Sequence, residues 1–346
     1  MKIFYSDIHL NHAPQFEVYE GGVRMPMLEV PERATRILTA LQQTDWAEIH
    51  EPADFGLDPI LAVHDKDYVS FLASAWTEWL AAPPEADFVT DKSALMPATF
   101  PPGGWRHKPE GLLGRSGYYT MDLAAPIVEG TYRAALASAN CALSAADALL
   151  RGDHATFALC RPPGHHAGKA NCGGYCYLNN AAIAANWLST SKGKVALLDI
   201  DYHAGNGTQE IFYDRPDVLT VSIHADPNYE YPHFSGYPDE RGTDAGLGFH
   251  HNLPLSAGAE DSAYLTTLNI ALSHIREFKP EVLVLSAGMD IYDDDPLGKI
   301  KVTTNGIAEI GRRVASLGLP TAIIFEGGYN NDALATNVLA LLDAFK

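Results

Sequence analysis

The stretch Val195-Ala196-Leu197-Leu198-Asp199-Ile200-Asp201-Tyr202-His203 decides how the chain is read. Its first four residues are apolar, and Gly193 and Gly205 flank the run. A short unbroken apolar run between glycines predicts a strand buried on both faces, at the centre of a parallel sheet. Such sheets bind ligands just beyond the carboxyl ends of their strands. Asp199, Asp201 and His203 stand at that end. Working outward, similar runs at 3–5, 156–160, 218–223, 282–286 and 322–325 predict further strands. Helical stretches fall between them, at 33–43, 68–80, 132–151, 180–190, 263–277, 306–317 and 332–345. This alternation predicts an α/β fold with a mostly parallel sheet, as one domain over residues 1–346.

Composition narrows the function. The chain carries 24 basic and 43 acidic side chains, a formal charge of -19. No dense Lys/Arg run is present, which argues against nucleic acid as a partner. The acidity reads first as solubility and second as steering of cationic substrates. No stretch approaches the roughly 18 to 20 apolar residues of a membrane span, so no membrane partner is expected. The start, Met1 to Asp7, is too short and polar for a signal peptide and reads as the first strand of a cytoplasmic protein. Cys141, Cys160, Cys172 and Cys176 lack a zinc-ribbon spacing and are expected as reduced thiols. The segment 82–115 is rich in proline, including Pro83-Pro84 and Pro101-Pro102. Because the alternating pattern continues on both sides, it predicts an inserted functional loop rather than a linker.

Several strand ends carry chemistry. Asp201 and His203 are two residues apart, so on an extended segment they point the same way. Asp290 follows the 282–286 run through a small-residue turn, and two strand ends of one sheet can converge on one metal ion. Asp199 is in phase with Asp201 and suits the role of orienting a histidine. Taken singly, an Asp at a strand end is a turn former and a His a hydrogen-bonded core residue; jointly they favour a metal centre. His165-His166, in the loop after the 156–160 run, would supply general acid–base catalysis beside the metal. Glu326-Gly327-Gly328-Tyr329 lets the chain turn sharply and brings a phenol to the same rim, suited to an oxyanion.

As a set, these segments resemble the zinc-dependent deacetylases, the family of histone deacetylases and bacterial acetylpolyamine amidohydrolases. The resemblance rests on Pro162-Pro163-Gly164-His165-His166, Gly173-Gly174-Tyr175-Cys176-Tyr177-Leu178-Asn179-Asn180, Asp199-Ile200-Asp201-Tyr202-His203, Gly205-Asn206-Gly207-Thr208, Ser286-Ala287-Gly288-Met289-Asp290 with Asp295-Pro296-Leu297-Gly298, and Glu326-Gly327-Gly328-Tyr329. It implies a single-domain arginase/deacetylase fold, with a central eight-stranded, mostly parallel sheet flanked by helices. It implies one catalytic Zn²⁺ held by Asp201, His203 and Asp290. His165 would pair with Asp199, and His166 with Asn206. Tyr329 would polarise the scissile carbonyl. Gly174 and Tyr175 would form one wall of a narrow tunnel and Tyr231 the other. Structural K⁺ would bind at Asp199, Asp201, His203, Ser222 and Ile223. A second K⁺ would use main-chain oxygens near Phe212, Arg215, Val218 and Phe249. Glu17 matches an acidic position near the entrance in the acetylpolyamine branch, and the 82–115 insertion resembles the loop through which that branch forms homodimers and narrows the mouth.

Two departures stand out. Ala204 follows the metal histidine where many members have a second His. Leu113 is aligned with a rim position that is acidic in polyamine-specific relatives, which leaves room for a shorter or less charged substrate. The expected activity is metal-assisted deacylation of a small N-acylated amine: acetylpolyamine-like, acetyl-lysine-like or a smaller acyl amide. Two rivals remain. A dinuclear arginase-type ureohydrolase would need a further carboxylate two residues after His203, where Gly205 stands. A non-catalytic protein could keep the pocket to bind acylated ligands.

Overall fold

The computed structural model describes residues 1–83, 91–101 and 107–346. Its strands are β1 (Lys2–Phe4), β2 (Phe16–Tyr19), β3 (Val23–Pro26), β4 (Glu48–His50), β5 (Ala155–Ala158), β6 (Val195–Asp199), β7 (Val218–Ala225), β8 (His250–Leu255), β9 (Val282–Ala287) and β10 (Thr321–Phe325). The α-helices are α1 (Glu32–Leu41), α2 (Asp58–Leu61), α3 (Lys66–Ala81), α4 (Leu112–Tyr118), α5 (Thr131–Leu150), α6 (Asn180–Lys192), α7 (Asn206–Phe212), α8 (Asp261–Phe278), α9 (Thr304–Ala315) and α10 (Leu334–Leu342). Eight strands form one parallel sheet in the order β4-β1-β5-β10-β9-β6-β7-β8, and β2 and β3 form a separate hairpin.

Every residue of β5, β6, β7, β9 and β10 is buried, as expected for strands covered on both faces. Alternate side chains divide between two cores. Val195, Leu197, Val284 and Ile324 face the layer containing α3, α5 and α6. Ala196, Leu198, Leu285 and Ile323 face the layer of α1, α8, α9 and α10. The result is a single α/β domain, with the sheet between two helical layers.

The strand and helix expectations agree with these elements to within a few residues. The edge strands β4 and β8 carry no comparable apolar run. β4 has exposed Glu48 and His50, and β8 reads His-His-Asn-Leu-Pro-Leu. An edge strand meets solvent, so it tolerates polar residues and Pro254. Within the expected insertion, 84–90 and 102–106 lie outside the described residues. The rest includes α4 and a bridge between Leu95 and Ile127. Lys92 Nζ donates to the Trp79 and Leu80 carbonyls at 2.8 and 3.1 Å, capping the end of α3.

Candidate active site

The ends of β6 and β9 meet because these strands are neighbours, with Asp199 opposite Ser286. The turns that follow bring Asp201, His203 and Asp290 together. One ligand atom from each lies within 4.8 Å of the others. Hydrogen bonds aim the carboxylates. Asp201 Oδ2 accepts from Gly327 N at 2.9 Å, and Asp290 Oδ1 accepts from Tyr202 N at 2.9 Å. Asp290 Oδ2 is buried and makes no hydrogen bond, although His203 Nδ1 stands 3.2 Å away. One carboxylate oxygen is thus left without a hydrogen-bond donor where the three side chains meet.

Two glycines keep that point clear. A Cβ on Gly288 would lie 2.0 Å from Asp201 Oδ2. One on Gly327 would lie 2.4 Å from Asp290 Oδ2 and 2.6 Å from Asp201 Oδ2. Electrostatics gives the same reading. Burial, and then the charge of Asp201, push Asp290 up to about 7. Burial opposes ionisation of Asp201 as well, but His165 and His203 together hold it below the usual carboxylate range. Burial would lower His203, yet its hydrogen bond to Asp201 and the attraction of both carboxylates raise it to about 9. The two dry carboxylates draw positive charge from protonated His203 and His165, a charge that a divalent cation can supply instead. The donor set fits a metal ion with open positions for water or substrate.

Beside this cluster, His165 Nδ1–H donates to Asp199 Oδ2 at 3.0 Å, and His166 Nδ1–H donates to Asn206 Oδ1 at 2.7 Å. The two rings stand 3.9 Å apart between centroids. Burial favours the neutral form of both, but Asp201 and Asp199 reverse this for His165 and raise it to about 10. His166 is driven well below its ordinary value by burial and by its cationic neighbours His165 and His203. One imidazole thus holds its proton while the other is unprotonated at neutral pH, with Nε2 carrying the free lone pair.

Glu326 locks the histidine loop to the sheet. Its Oε2 accepts from Gly164 N and His165 N at 2.6 and 3.2 Å, and its Oε1 accepts from Ser286 Oγ at 2.8 Å. Tyr329 N donates to Asp295 Oδ2 at 2.6 Å. The buried guanidinium of Arg33 donates to the Gly328 and Glu326 carbonyls, each at 2.7 Å, and lies 4.7 Å from the Tyr329 ring. Burial pushes the Tyr329 phenol well above its ordinary value, so it stays a donor.

A cavity of about 240 Å³ opens onto this floor. His166, His203 and Tyr329 line its bottom; Gly174, Tyr175, Tyr231 and Asp122 line its walls, with Val18, Tyr19, Leu123 and Leu297. Two expected substrate contacts lie elsewhere. Glu17 is fully buried behind the wall, where Oε2 accepts from the Tyr175 hydroxyl at 2.6 Å. Leu113 is on α4, partly exposed, and does not line the cavity; the acidic side chain at the wall is Asp122. The chain passes from α4 through a bridge between Thr120 and Cys172 before it reaches the cavity, which places Asp122 rather than Leu113 at the wall.

The other implied positions are spread along β7. Ser222 pairs with Asp199 in register, and Ile223 follows it. Phe212, Arg215 and Val218 lie where α7 turns into β7, at the opposite end of the sheet. Ala204 is packed beneath the Gly236 loop, where a Cβ on Gly236 would come within 2.8 Å of the Ala204 Cβ. Sequence reasoning assigned no role to Asp122, Arg33, Asp295 or Glu326. For Glu326 and Asp295 the signal was their place inside the quoted motifs.

Comparison with known proteins agrees with this arrangement. The model of the histone deacetylase domain matches residues 27–345. Acetylpolyamine amidohydrolase 1 of Pseudomonas aeruginosa is 43% identical, with 99% of this chain and 98% of that protein aligned. A probable deacetylase of Archaeoglobus fulgidus is 32% identical over 87% of this chain and 76% of its own length. A crystal structure of acetylpolyamine aminohydrolase from Burkholderia pseudomallei, from an iodide soak, superposes with a TM-score of 0.93 at 42% identity, covering 100% of this chain and 98% of that one. With the site geometry, these likenesses show that the chain belongs to the histone deacetylase family, whose members include metal-dependent hydrolases of amide bonds.

Proposed function

We propose that this protein is a zinc-dependent deacylase of small N-acylated amines, with acetylpolyamine-like compounds as the first class to test. The observation that carries the reading is the convergence of Asp201, His203 and Asp290 beside a histidine pair and Tyr329, at the floor of a tyrosine-walled cavity. Its likeness to proteins named acetylpolyamine amidohydrolases supports the substrate class. Leu113 gives no argument for a shorter substrate, because it stands outside the cavity.

Zinc held by Asp201, His203 and Asp290 would polarise the amide carbonyl and make water a stronger acid. The walls hold the amine chain while the acyl group reaches the floor. His166, kept neutral, takes the proton of the attacking water. Asp199 orients His165 and balances its charge. The Tyr329 hydroxyl donates to the oxygen that becomes negative as the carbonyl carbon turns tetrahedral. A histidine proton then passes to the departing nitrogen, so a carboxylate and a free amine are released.

A structural K⁺ beside β6 and β7 fits the tautomer of His224. Its Nε2–H donates to Gly236 O at 2.9 Å, so Nδ1 accepts from the Ser222 hydroxyl at 2.7 Å. The Ser222 oxygen then keeps its lone pairs for a cation. The homodimer rests on the resemblance of the 82–115 insertion to a dimerising loop. A cytoplasmic setting is supported by four free, buried cysteines. No helix among the described residues is long and apolar enough to cross a membrane.

The dinuclear rival is disfavoured at position 205, where a Cβ on Gly205 would come within 2.4 Å of Asp199 Oδ2. The test is to strip the protein with a chelator, add zinc back, and follow turnover of acetylpolyamines, acetyl-lysine peptides and small N-acyl amines. Activity that saturates at one catalytic ion per chain is expected. Zinc-replete protein that binds these compounds without cleaving them, or that needs two catalytic ions, would refute the proposal.

A further inference from the structure

A hydrogen-bonded bridge crosses the cavity wall. Asp122 Oδ2 accepts from the Tyr231 hydroxyl at 2.6 Å and from Gly174 N at 2.8 Å. Asp122 Oδ1 accepts from Ala124 N at 2.9 Å. Tyr231 follows β7 and Gly174 precedes α6, so one carboxylate ties together segments from distant parts of the chain. Gly174 makes room for the bridge. It has φ +50°, and a Cβ there would lie 2.3 Å from His166 Cδ2 and 2.9 Å from the Tyr231 hydroxyl.

The position of Tyr231 controls the space above the floor. Its ring meets His166 edge-on, with centroids 4.9 Å apart and planes at 88°, and it lies 5.9 Å from His203. A phenylalanine would keep this packing, but nothing would hold the ring tip. Across the cavity, the hydroxyl of Tyr175 is tied to Glu17 in the same manner. Hydrogen bonds to carboxylates are the strong, short kind, so both walls are fixed before substrate arrives. Three protein donors hold the Asp122 carboxylate, two on Oδ2 and one on Oδ1, so most of its acceptor capacity serves the wall.

We propose that Asp122 and Tyr231 act as a clamp that fixes the bore of the cavity and selects unbranched N-acyl amines over branched ones. Both are positioning residues in this role, and the proposal rests on the deacylase reading above. The gain is rejection by shape: a bore that cannot widen excludes a side branch.

The test compares wild type, Tyr231→Phe, Asp122→Asn, Asp122→Ala and the Tyr231→Phe/Asp122→Ala double variant. Each is assayed on a straight N-acetylated alkyldiamine and on isomers with one methyl branch at the first, second or third carbon from the amide nitrogen. Wild type should favour the straight compound. Tyr231→Phe and Asp122→Ala should each cut that ratio of kcat/KM by about tenfold, chiefly through a lower KM for branched isomers. Asp122→Asn, which keeps an acceptor oxygen, should restore part of the ratio, and the double variant should lose no more than either single one. Should Asp122→Ala fail to fold, Tyr231→Phe alone carries the comparison. Unchanged ratios, or losses that add in the double variant, overturn the clamp while the deacylase reading stands. Wild type inert on every compound overturns both, and the two failures are told apart by whether wild type turns over the straight substrate.

Discussion

In the proposed reaction Tyr329 acts through a single proton-bearing oxygen, and its removal is the simplest test of that chemistry. In Tyr329→Phe the ring can still lie beneath Arg33, so the fold and bound metal should be retained. We expect kcat to fall by about 10²- to 10³-fold with little change in KM, measured on whichever acyl amine is cleaved best. Gly327 tests the metal cradle without altering a ligand. Its missing side chain leaves room for both carboxylates, so Gly327→Ala should weaken zinc binding by about 10- to 100-fold, read by competition with a chromophoric chelator. At this scale the convergence of the proposed metal ligands was legible because Asp201 and His203 sit directly beyond an apolar strand. Asp122 and Arg33 were not. Arg33 lies in the helical stretch before residue 43, where a cation normally marks the solvent face. Its actual partners are carbonyls at 326 and 328, brought to it only by tertiary folding.

Among elements, the loop after β10 is the one most visibly suspended by others. Arg33 from α1 holds its carbonyls, Asp295 holds the amides of Tyr329 and Asn330, and Glu326 joins it to the histidine loop. Replacing Arg33 with Met would leave the fully buried Glu29 with Arg161 as its one remaining cation, at 2.8 Å, and would release two buried carbonyls. We expect a loss of about 3–5 kcal/mol in denaturant unfolding, larger than for an exposed arginine such as Arg312. Central strands were readable in sequence because burial on both faces demands unbroken apolar runs. The edge strands β4 and β8 escaped because solvent removes that demand, and the β2–β3 hairpin escaped because its two short strands include exposed Val23 and Arg24.

For the whole molecule, acid should be destabilising, and buried histidines give one reason. His64 Nδ1–H donates to Gly168 O at 2.8 Å while Nε2 accepts from Asn179 N at 2.9 Å. Only a neutral ring satisfies both. Burial lowers His64 and His224 to about 4 and His250 to about 3. Each folded-state value lies below the ordinary 6.5, so between these limits the unfolded chain binds more protons. The stabilisation is complete above 6.5 and is lost as pH falls towards 4, by about 3 kcal/mol for His64. Melting temperature should therefore drop across this interval, and His64→Gln should show a shallower fall. The strand order carries a last consequence. β10 pairs with β5 on one side and β9 on the other, yet among the described strands of the sheet it comes last in chain order and so leaves the ribosome after them. Until it arrives, the earlier strands can make two half-sheets with a slot between them. β10 is thus a keystone, and the phenol-bearing turn rides in behind it. With Tyr329 in its proposed role, catalytic competence and closure of the sheet become one event, and a nascent chain lacking β10 is expected to be inactive.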